Sequence, residues 1–269
     1  MDQSFHLTNV VVGMLFLPLL LFEKQTIDWT EVWKPLVMGV TFFVGTWLTF
    51  VGIRRGDVSL VTPIMGTKVV FVAVGMVLVT GHSPSLALWV AAVMTPLGIL
   101  VMSLAEFKNG HHVLFTILIT LGSAIMFGFS DVLVSMWSAD FGGPTFLAVS
   151  SGGVAVLSLS MWLLQGRPGV KMPESGRRWA WSGAVCVGVQ AIGMGIALSF
   201  FADATGINVV YASRGFWVIV LVVVFGSVLG NSEHREQGRA FLWRVMGTVV
   251  LTVAIIIAVM DRAGASSLE

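Results

Sequence analysis

The sequence predicts an all-α protein that crosses a membrane about nine times. Hydrophobic residues make up 56% of the 269 residues and charged residues only 11%, whereas about 25% of the residues of a soluble domain are charged. Apolar runs of membrane length follow one another along the chain, and short polar links separate them. Helices satisfy their backbone hydrogen bonds within one segment, so we expect every run to be a helix in lipid.

Nine segments reach the length of a membrane-spanning helix, which is about 17–25 residues. The first segment is predicted to be a membrane helix rather than a signal peptide, because the residues before it include Asp2 and no Lys or Arg. The polar tail, residues 263–269, ends in Leu-Glu like an expression scar and is left out of the fold prediction. The segments cover residues 7–22, 36–53, 58–80, 86–105, 113–137, 145–164, 179–201, 207–229 and 240–261.

Composition and motifs exclude several classes of function. The net charge of +1 and the lack of a basic tract argue against a nucleic-acid partner. Neither G-x-S-x-G nor H-E-x-x-H occurs, so we do not expect an enzyme, a metal site or a cofactor. The single cysteine, Cys186, excludes an intrachain disulfide.

The two halves of the chain repeat each other. Gly66 falls on Gly215 and Gly98 falls on Gly247, which is a constant offset of 149 residues. With a small shift, segment 36–53 also aligns with 179–201 and segment 7–22 with 145–164, whereas segment 113–137 has no counterpart. We therefore predict a four-helix repeat over residues 1–107 and a five-helix repeat over 112–262. An odd number of helices in a repeat unit inverts the two halves across the membrane, as in many secondary transporters.

The chain resembles EamA-type members of the drug/metabolite transporter superfamily. The residues that carry the resemblance are PIMGTKVVFVAVG, NVVYASRGFWVIVLVVVFG and the E-x-x-E-x-G-R link from Glu233 to Arg239. The resemblance implies two inverted five-helix repeats in the inner membrane that export metabolites, amino acids, nucleotide-sugars or drugs. This sequence departs from the family at its start, where the first helix of the first repeat is absent.

The candidate site is built around two basic residues within apolar segments. Lys68 and Arg214 occupy nearly matching places in the two repeats, one turn apart on the same face. Intramembrane charge is expensive and marks functional sites. We therefore expect both side chains to line a cavity near the membrane midplane. The other predicted substrate-binding residues are Tyr211 and Trp217, which flank Arg214, and Thr67 and Thr62 near Lys68; Pro63 is predicted to kink the helix.

Each of these residues has a structural alternative. Arg214 is close enough to its helix start to extend towards the membrane interface, and Lys68 could serve packing alone. Asp131 is the one acidic residue deep in a segment, and it either pairs with Lys68 or Arg214 or accepts a proton that drives transport.

A small organic anion or zwitterion is the predicted substrate. Two deep cations and one deep carboxylate leave an excess of one positive charge, which a substrate carboxylate or phosphate would neutralise. The predicted partners are the small-molecule substrate and the lipid bilayer. The sequence is also compatible with a homodimer. The alternative function is a non-transporting binding or assembly subunit, or an incomplete carrier that needs a partner.

Overall fold

The computed structural model describes residues 3–55, 61, 64–81, 84–103, 113–166, 174–212 and 238–266, and no β-strand occurs among them. Two 3-10 helices, Leu17–Phe22 and Trp29–Glu31, lie between the first two α-helices. In chain order the α-helices are α1 (Gln3–Phe16), α2 (Trp33–Arg55), α3 (Lys68–Thr80), α4 (Leu86–Ser103), α5 (Val113–Phe141), α6 (Gly143–Leu164), α7 (Glu174–Phe201), α8 (Ala204–Tyr211) and α9 (Gly238–Ser266).

The structure confirms the all-α, multi-pass membrane fold. In the described ranges, five helical segments are long and apolar enough to cross a membrane: Gln3–Phe22, Trp29–Arg55, Leu114–Phe141, Gly143–Leu164 and Gly176–Phe201. Three shorter apolar helices, Ile64–Val79, Leu86–Val101 and Val245–Asp261, correspond to the predicted segments 58–80, 86–105 and 240–261. Most of the predicted segment 207–229 lies outside the described residues.

Two predicted segments are interrupted rather than continuous. In segment 7–22 the α-helix ends at Phe16 and continues as a 3-10 helix that has Pro18 in its first turn. Proline has no backbone N–H and cannot continue the α-helical hydrogen-bond pattern. In segment 58–80 the helix is interrupted by a turn at Thr67, after which α3 begins.

The first of two compact units consists of residues Met1–Phe50 and Phe129–Asp203. In this unit α1 packs against α6 and α7. Phe5 is fully buried, and its ring lies edge-on to Phe43 and Phe50 of α2, with ring centres 5.6 and 5.3 Å away. Gly13 permits the close crossing of α1 and α6, because a Cβ atom there would lie 3.0 Å from the carbonyl oxygen of Ser151.

A buried polar cluster also joins α1 to α6 in this unit. His6 Nδ1 lies 3.0 Å from Ser158 Oγ, and Asn9 Nδ2 donates to the same oxygen at 3.3 Å. All three side chains are buried. The cluster satisfies polar groups that would otherwise be costly in an apolar interface.

The start of α6 is capped by a side chain from the loop before α2. Glu23 accepts hydrogen bonds from the backbone N–H groups of Lys24 and Gln25, both at 2.9 Å, and of Thr145 at 3.2 Å. Gly142, at φ 99°, leaves room for the carboxylate, because a Cβ atom there would lie 2.6 Å from Glu23 Oε2. The negative charge lies at the positive end of the α6 dipole.

The second unit consists of residues Val51–Gly128 and Ala204–Glu269. Its main contact joins α4 and α9, while α8 packs against α3, α4 and α9. A Cβ atom on Gly98 of α4 would lie 3.0 Å from the carbonyl oxygen of Gly247 on α9. The core of the unit is a cluster of small and branched residues: Val69, Ala73, Ala91, Ala92, Val209, Ala254 and Ala258.

Helices that the repeat predicts to be equivalent pack against each other in both units. In the first unit the partners are α1 and α6, and in the second unit they are α4 and α9. Gly98 and Gly247, which the offset makes equivalent, meet at the crossing of α4 and α9. Such self-matching contacts are typical of helices beside a pseudo-two-fold axis. The repeat boundaries, 1–107 and 112–262, stay a prediction.

Candidate functional site

Lys68 is the first residue of α3 and is half-buried. The turn before it is tight: both the backbone N–H and the hydroxyl of Thr67 donate to the carbonyl oxygen of Ile64, at 3.0 and 2.6 Å. The positive end of the helix dipole lies at the same place as the ammonium group. A lysine is unfavourable for helix stability at this position, so α3 itself does not explain its presence.

Two aromatic rings flank the ammonium group of Lys68. The Nζ atom lies 5.9 Å from the ring centre of Phe127 on α5 and 5.8 Å from that of Tyr211 on α8. A cation within about 6 Å of a ring centre is attracted by the negative face of the π-system. All three residues belong to the second unit. Helices from distant parts of the chain therefore meet at this charge.

Gly128 explains why Phe127 lies beside Lys68. A Cβ atom on Gly128 would be 3.2 Å from Cβ of Phe71 and 3.5 Å from the carbonyl oxygen of Lys68. Only glycine allows the α5 backbone to approach the first turn of α3 this closely. On the other side, α8 is anchored by Val209, which is fully buried in the core of the unit with Val69 of α3.

The structure brings together two of the predicted site residues, Lys68 and Tyr211. Thr67 adjoins them in sequence, but its hydroxyl is bonded to the backbone of its own turn. The predictions for the other residues stay untested, since Arg214, Trp217, Thr62 and Pro63 lie outside the described residues.

Asp131 is buried, with 6% of its surface exposed, and it belongs to the first unit. Its two predicted roles, an ion pair with Lys68 or Arg214 and a proton acceptor, both stay predictions. The neighbouring hydroxyl of Ser135 donates to the carbonyl oxygen of Ala202 at 2.9 Å.

Sequence reasoning missed Phe127, the residue of α5 that contacts Lys68, which lies on an otherwise polar face of the helix. The residues of this face recur every three or four positions, which is the spacing of one helix side, and all of them except Phe127 are buried. That spacing was the signal that could have identified the face. Its residues are Thr116, Thr120, Ser123, Phe127, Asp131, Ser135 and Ser138.

No group of three or more His, Cys, Asp or Glu side chains in the described residues is placed to hold a metal ion. The Lys68 site presents a positive charge beside the aromatic rings of Phe127 and Tyr211. Such a site can bind a solute by charge and orient it by hydrogen bonds.

The comparisons with known proteins point to one family. Residues 5–104 match the model of the EamA-like transporter family. This part of the chain, less than half of its length, is therefore similar to EamA-like transporters. The match includes α1 to α4 and Lys68. No curated protein sequence matches the chain.

A solved structure has a similar fold over nearly the whole chain. It is described only as a crystal structure of a protein, and it is similar over 96% of this chain and 86% of its own, with a TM-score of 0.70. The sequence identity is 15%. At that identity the likeness concerns the fold alone.

Proposed function

We propose that this protein is an EamA-type secondary active exporter of a small organic anion or zwitterion in the inner membrane. The observation that carries the proposal is the position of Lys68, whose ammonium group lies between the rings of Phe127 and Tyr211. Transport would proceed by alternating access between the two inverted repeats.

The surroundings of Lys68 favour an anionic ligand over a cationic one. Ring faces attract an ammonium group and leave it positively charged, so the group can also attract an anion. The positive end of α3 increases the local positive potential. A carboxylate or phosphate on the solute would meet both features at once.

The charge count of the deep residues points the same way. Lys68, Arg214 and Asp131 are the charged residues deep in the predicted segments, so together they carry a net positive charge. Charges of one sign in an apolar medium carry a large desolvation penalty. A substrate anion would reduce that penalty while it is bound.

Coupling to protons is the second part of the proposal. Asp131 is a buried carboxyl group on the helix that also carries Phe127. Buried carboxyl groups in membrane helices serve as proton relays in pumps and transporters. We expect Asp131→Asn to abolish the pH dependence of transport, and a pH dependence that persists would exclude this role.

Ligand-dependent thermal stabilisation of the purified protein tests the anion site. At 100 times its dissociation constant, a bound solute should stabilise the folded state by about 2.7 kcal/mol. We expect some small carboxylates or phosphates to do so, and Lys68→Ala to weaken their binding by about 10- to 100-fold, the range of one charge-assisted hydrogen bond.

Lys34→Ala is the matched control for Lys68→Ala. Lys34 forms an ion pair with Glu31 one turn away near the start of α2, far along the chain from Lys68. We expect its removal to leave binding unchanged. Equal stabilisation by anions in the parent protein and Lys68→Ala would contradict the anion site, and binding without any flux in vesicles would favour a non-transporting subunit.

A further inference from the structure

Helix α8 carries three polar side chains on successive turns, and the last of them contacts Lys68. Thr205, Asn208 and Tyr211 are spaced by three residues, so each lies about one turn beyond the last. Tyr211 is the residue whose ring centre is 5.8 Å from Lys68 Nζ. The polar column therefore begins beside the ammonium group and extends about 9 Å along the helix axis.

Two members of the column are fully shielded from solvent. Thr205 is 2% exposed and Asn208 is 1% exposed. The amide nitrogen of Asn208 donates to the carbonyl oxygen of Ala204 at 2.9 Å. Thr205 Oγ1 has no hydrogen-bond partner in the part of the chain that the structure describes.

The unpaired hydroxyl of Thr205 departs from the usual behaviour of threonine in this protein. Thr46, Thr49 and Thr95 each donate to the carbonyl oxygen four residues earlier in their helix. The residue four positions before Thr205 is Phe201, which ends α7, and the chain turns at Ala202, where φ is 50°, before α8 begins at Ala204. A buried hydroxyl without a partner costs free energy, which a bound ligand with a hydrogen-bonding group would recover.

We propose that α8 forms the second half of the binding site and selects small anions that carry hydroxyl groups. The inference rests on the proposed function: the anionic group of the solute binds Lys68, and its hydroxyl groups bond to Asn208 and Thr205. Hydroxyl and amide groups both donate and accept, so they match an alcohol in either direction. The column contains no acidic residue that would bind an ammonium group.

The length of the column sets the size of the solute. Asn208 and Thr205 lie about 4.5 and 9 Å along the axis from Tyr211. Bonds of about 1.5 Å cover that distance in three to six steps. The class is therefore a hydroxylated carboxylate or phosphate with a chain of about three to six atoms, rather than a bare inorganic anion or an apolar acid.

Two pairs of probes separate the hydroxyl groups from the charge. Gluconate is compared with hexanoate, and erythritol 4-phosphate with butyl phosphate, so that each pair keeps its charge and loses its hydroxyl groups, and each hydroxylated member has a chain of about six bonds that spans the column. We expect the parent protein to bind the hydroxylated member of at least one pair about 5- to 10-fold more tightly, from one or two hydrogen bonds. Whichever pair shows the larger ratio identifies the anionic group.

Thr205→Val removes the hydroxyl at nearly constant volume, and it should reduce that affinity ratio several-fold while binding of the deoxy analogue stays the same. Thr205→Ser should keep the ratio. Thr120→Val is the control, because Thr120 is also fully buried with an unpaired Oγ1 but lies on α5 against Gly52. We expect this control to leave the ratio unchanged.

The outcomes separate this inference from the proposed function. An unchanged ratio in Thr205→Val, or no preference in the parent protein, overturns the role of α8 while the anion site at Lys68 stands. If Thr120→Val reduces the affinity ratio as much as Thr205→Val does, the role of α8 is overturned as well. If neither member of either pair binds, or if binding is insensitive to Lys68→Ala, the proposed function fails as well.

Discussion

The two compact units use their buried polar side chains in different ways. In the first unit His6, Asn9 and Ser158 hydrogen-bond to one another across α1 and α6. In the second unit Lys68 lies between the rings of Phe127 and Tyr211, and Thr205, earlier on α8, has a hydroxyl with no hydrogen-bond partner among the described residues. The first arrangement joins two helices by hydrogen bonds, although His6 Nε2 has no partner in the described ranges, whereas the second places a cation against aromatic rings.

The difference indicates what each region does. Polar groups that bond to one another between helices stabilise packing, and their loss should lower stability without changing ligand affinity. Aromatic faces around a cation hold it in place and leave its charge in the site. Substitutions there should change affinity more than stability.

The largest effect on stability is expected for Ser158→Ala in the first unit. The change removes the shared partner of His6 and Asn9, and each buried group left unpaired costs about 1–3 kcal/mol. We expect the free energy of unfolding to fall by about 2–4 kcal/mol, measured by denaturation in detergent, with no change in anion affinity.

Ser182→Ala is the control for this substitution. Ser182 is exposed on α7. Its hydroxyl donates to the backbone carbonyl of Trp179, one turn earlier in the same helix. Its loss should be close to neutral. A loss of anion affinity in Ser158→Ala at unchanged stability would break the comparison between the two units.

Phe127→Leu should have the next largest effect, and that effect should appear in binding. Leucine keeps an apolar side chain next to Gly128 but removes the ring face from Lys68, which is worth about 0.5–2 kcal/mol. We expect anion affinity to fall by about 2- to 30-fold in a thermal-shift titration. Phe115→Leu, at an exposed position on the same helix, should leave the affinity unchanged.

Glu23→Gln tests a contact of the first unit that depends on pH. Partial burial raises the pKa of Glu23, but hydrogen bonds from Gln25, Thr145 and Lys24 outweigh it, so the pKa lies below 4.5. Because its pKa is lowered, the Glu23 carboxylate stabilises the folded protein above pH 4.5. This stabilisation disappears as the pH falls through the pKa that Glu23 has in the folded protein.

We therefore expect Glu23→Gln to cost at most about 1 kcal/mol at neutral pH, because the carboxylate is partly exposed. The difference from the parent protein should vanish in acid. Melting temperatures across pH provide the measurement, and a difference that grows towards acid would contradict this account of the α6 cap.

The smallest effect is expected for Tyr211→Phe. The ring face next to Lys68 is kept and only the hydroxyl is lost, so affinity for the anion should change by less than about 3-fold. Tyr211→Leu removes the face and should resemble Phe127→Leu. Equal losses from the two substitutions would show that the hydroxyl, and not the ring, makes the contact that matters.

Most of the fold could be predicted from the sequence because apolar length determines which segments cross a membrane. Segments 36–53, 86–105, 113–137 and 145–164 correspond closely to described helices. The interruption at Thr67 was not predicted, because it depends on hydrogen bonds that apolar runs do not encode.

The candidate site was predictable only where charge marked it. Lys68 stands out because a lysine in an apolar run is rare, and Tyr211 was found through its spacing from Arg214. Phe127 is one of 18 phenylalanines, and its place beside Lys68 depends on the close approach that Gly128 allows. His6 and Ser158 likewise meet only through the packing of α1 on α6.

Counterflow in proteoliposomes tests the central claim most directly, since it measures transport and charge recognition together. Vesicles loaded with an unlabelled anion that stabilises the protein are given the labelled anion outside, and uptake is compared between the parent protein, Lys68→Arg and Lys68→Ala. We predict rapid uptake in the parent protein, reduced uptake in Lys68→Arg and a loss of at least about 10-fold in Lys68→Ala. Uptake in Lys68→Ala equal to that of the parent protein would contradict the account.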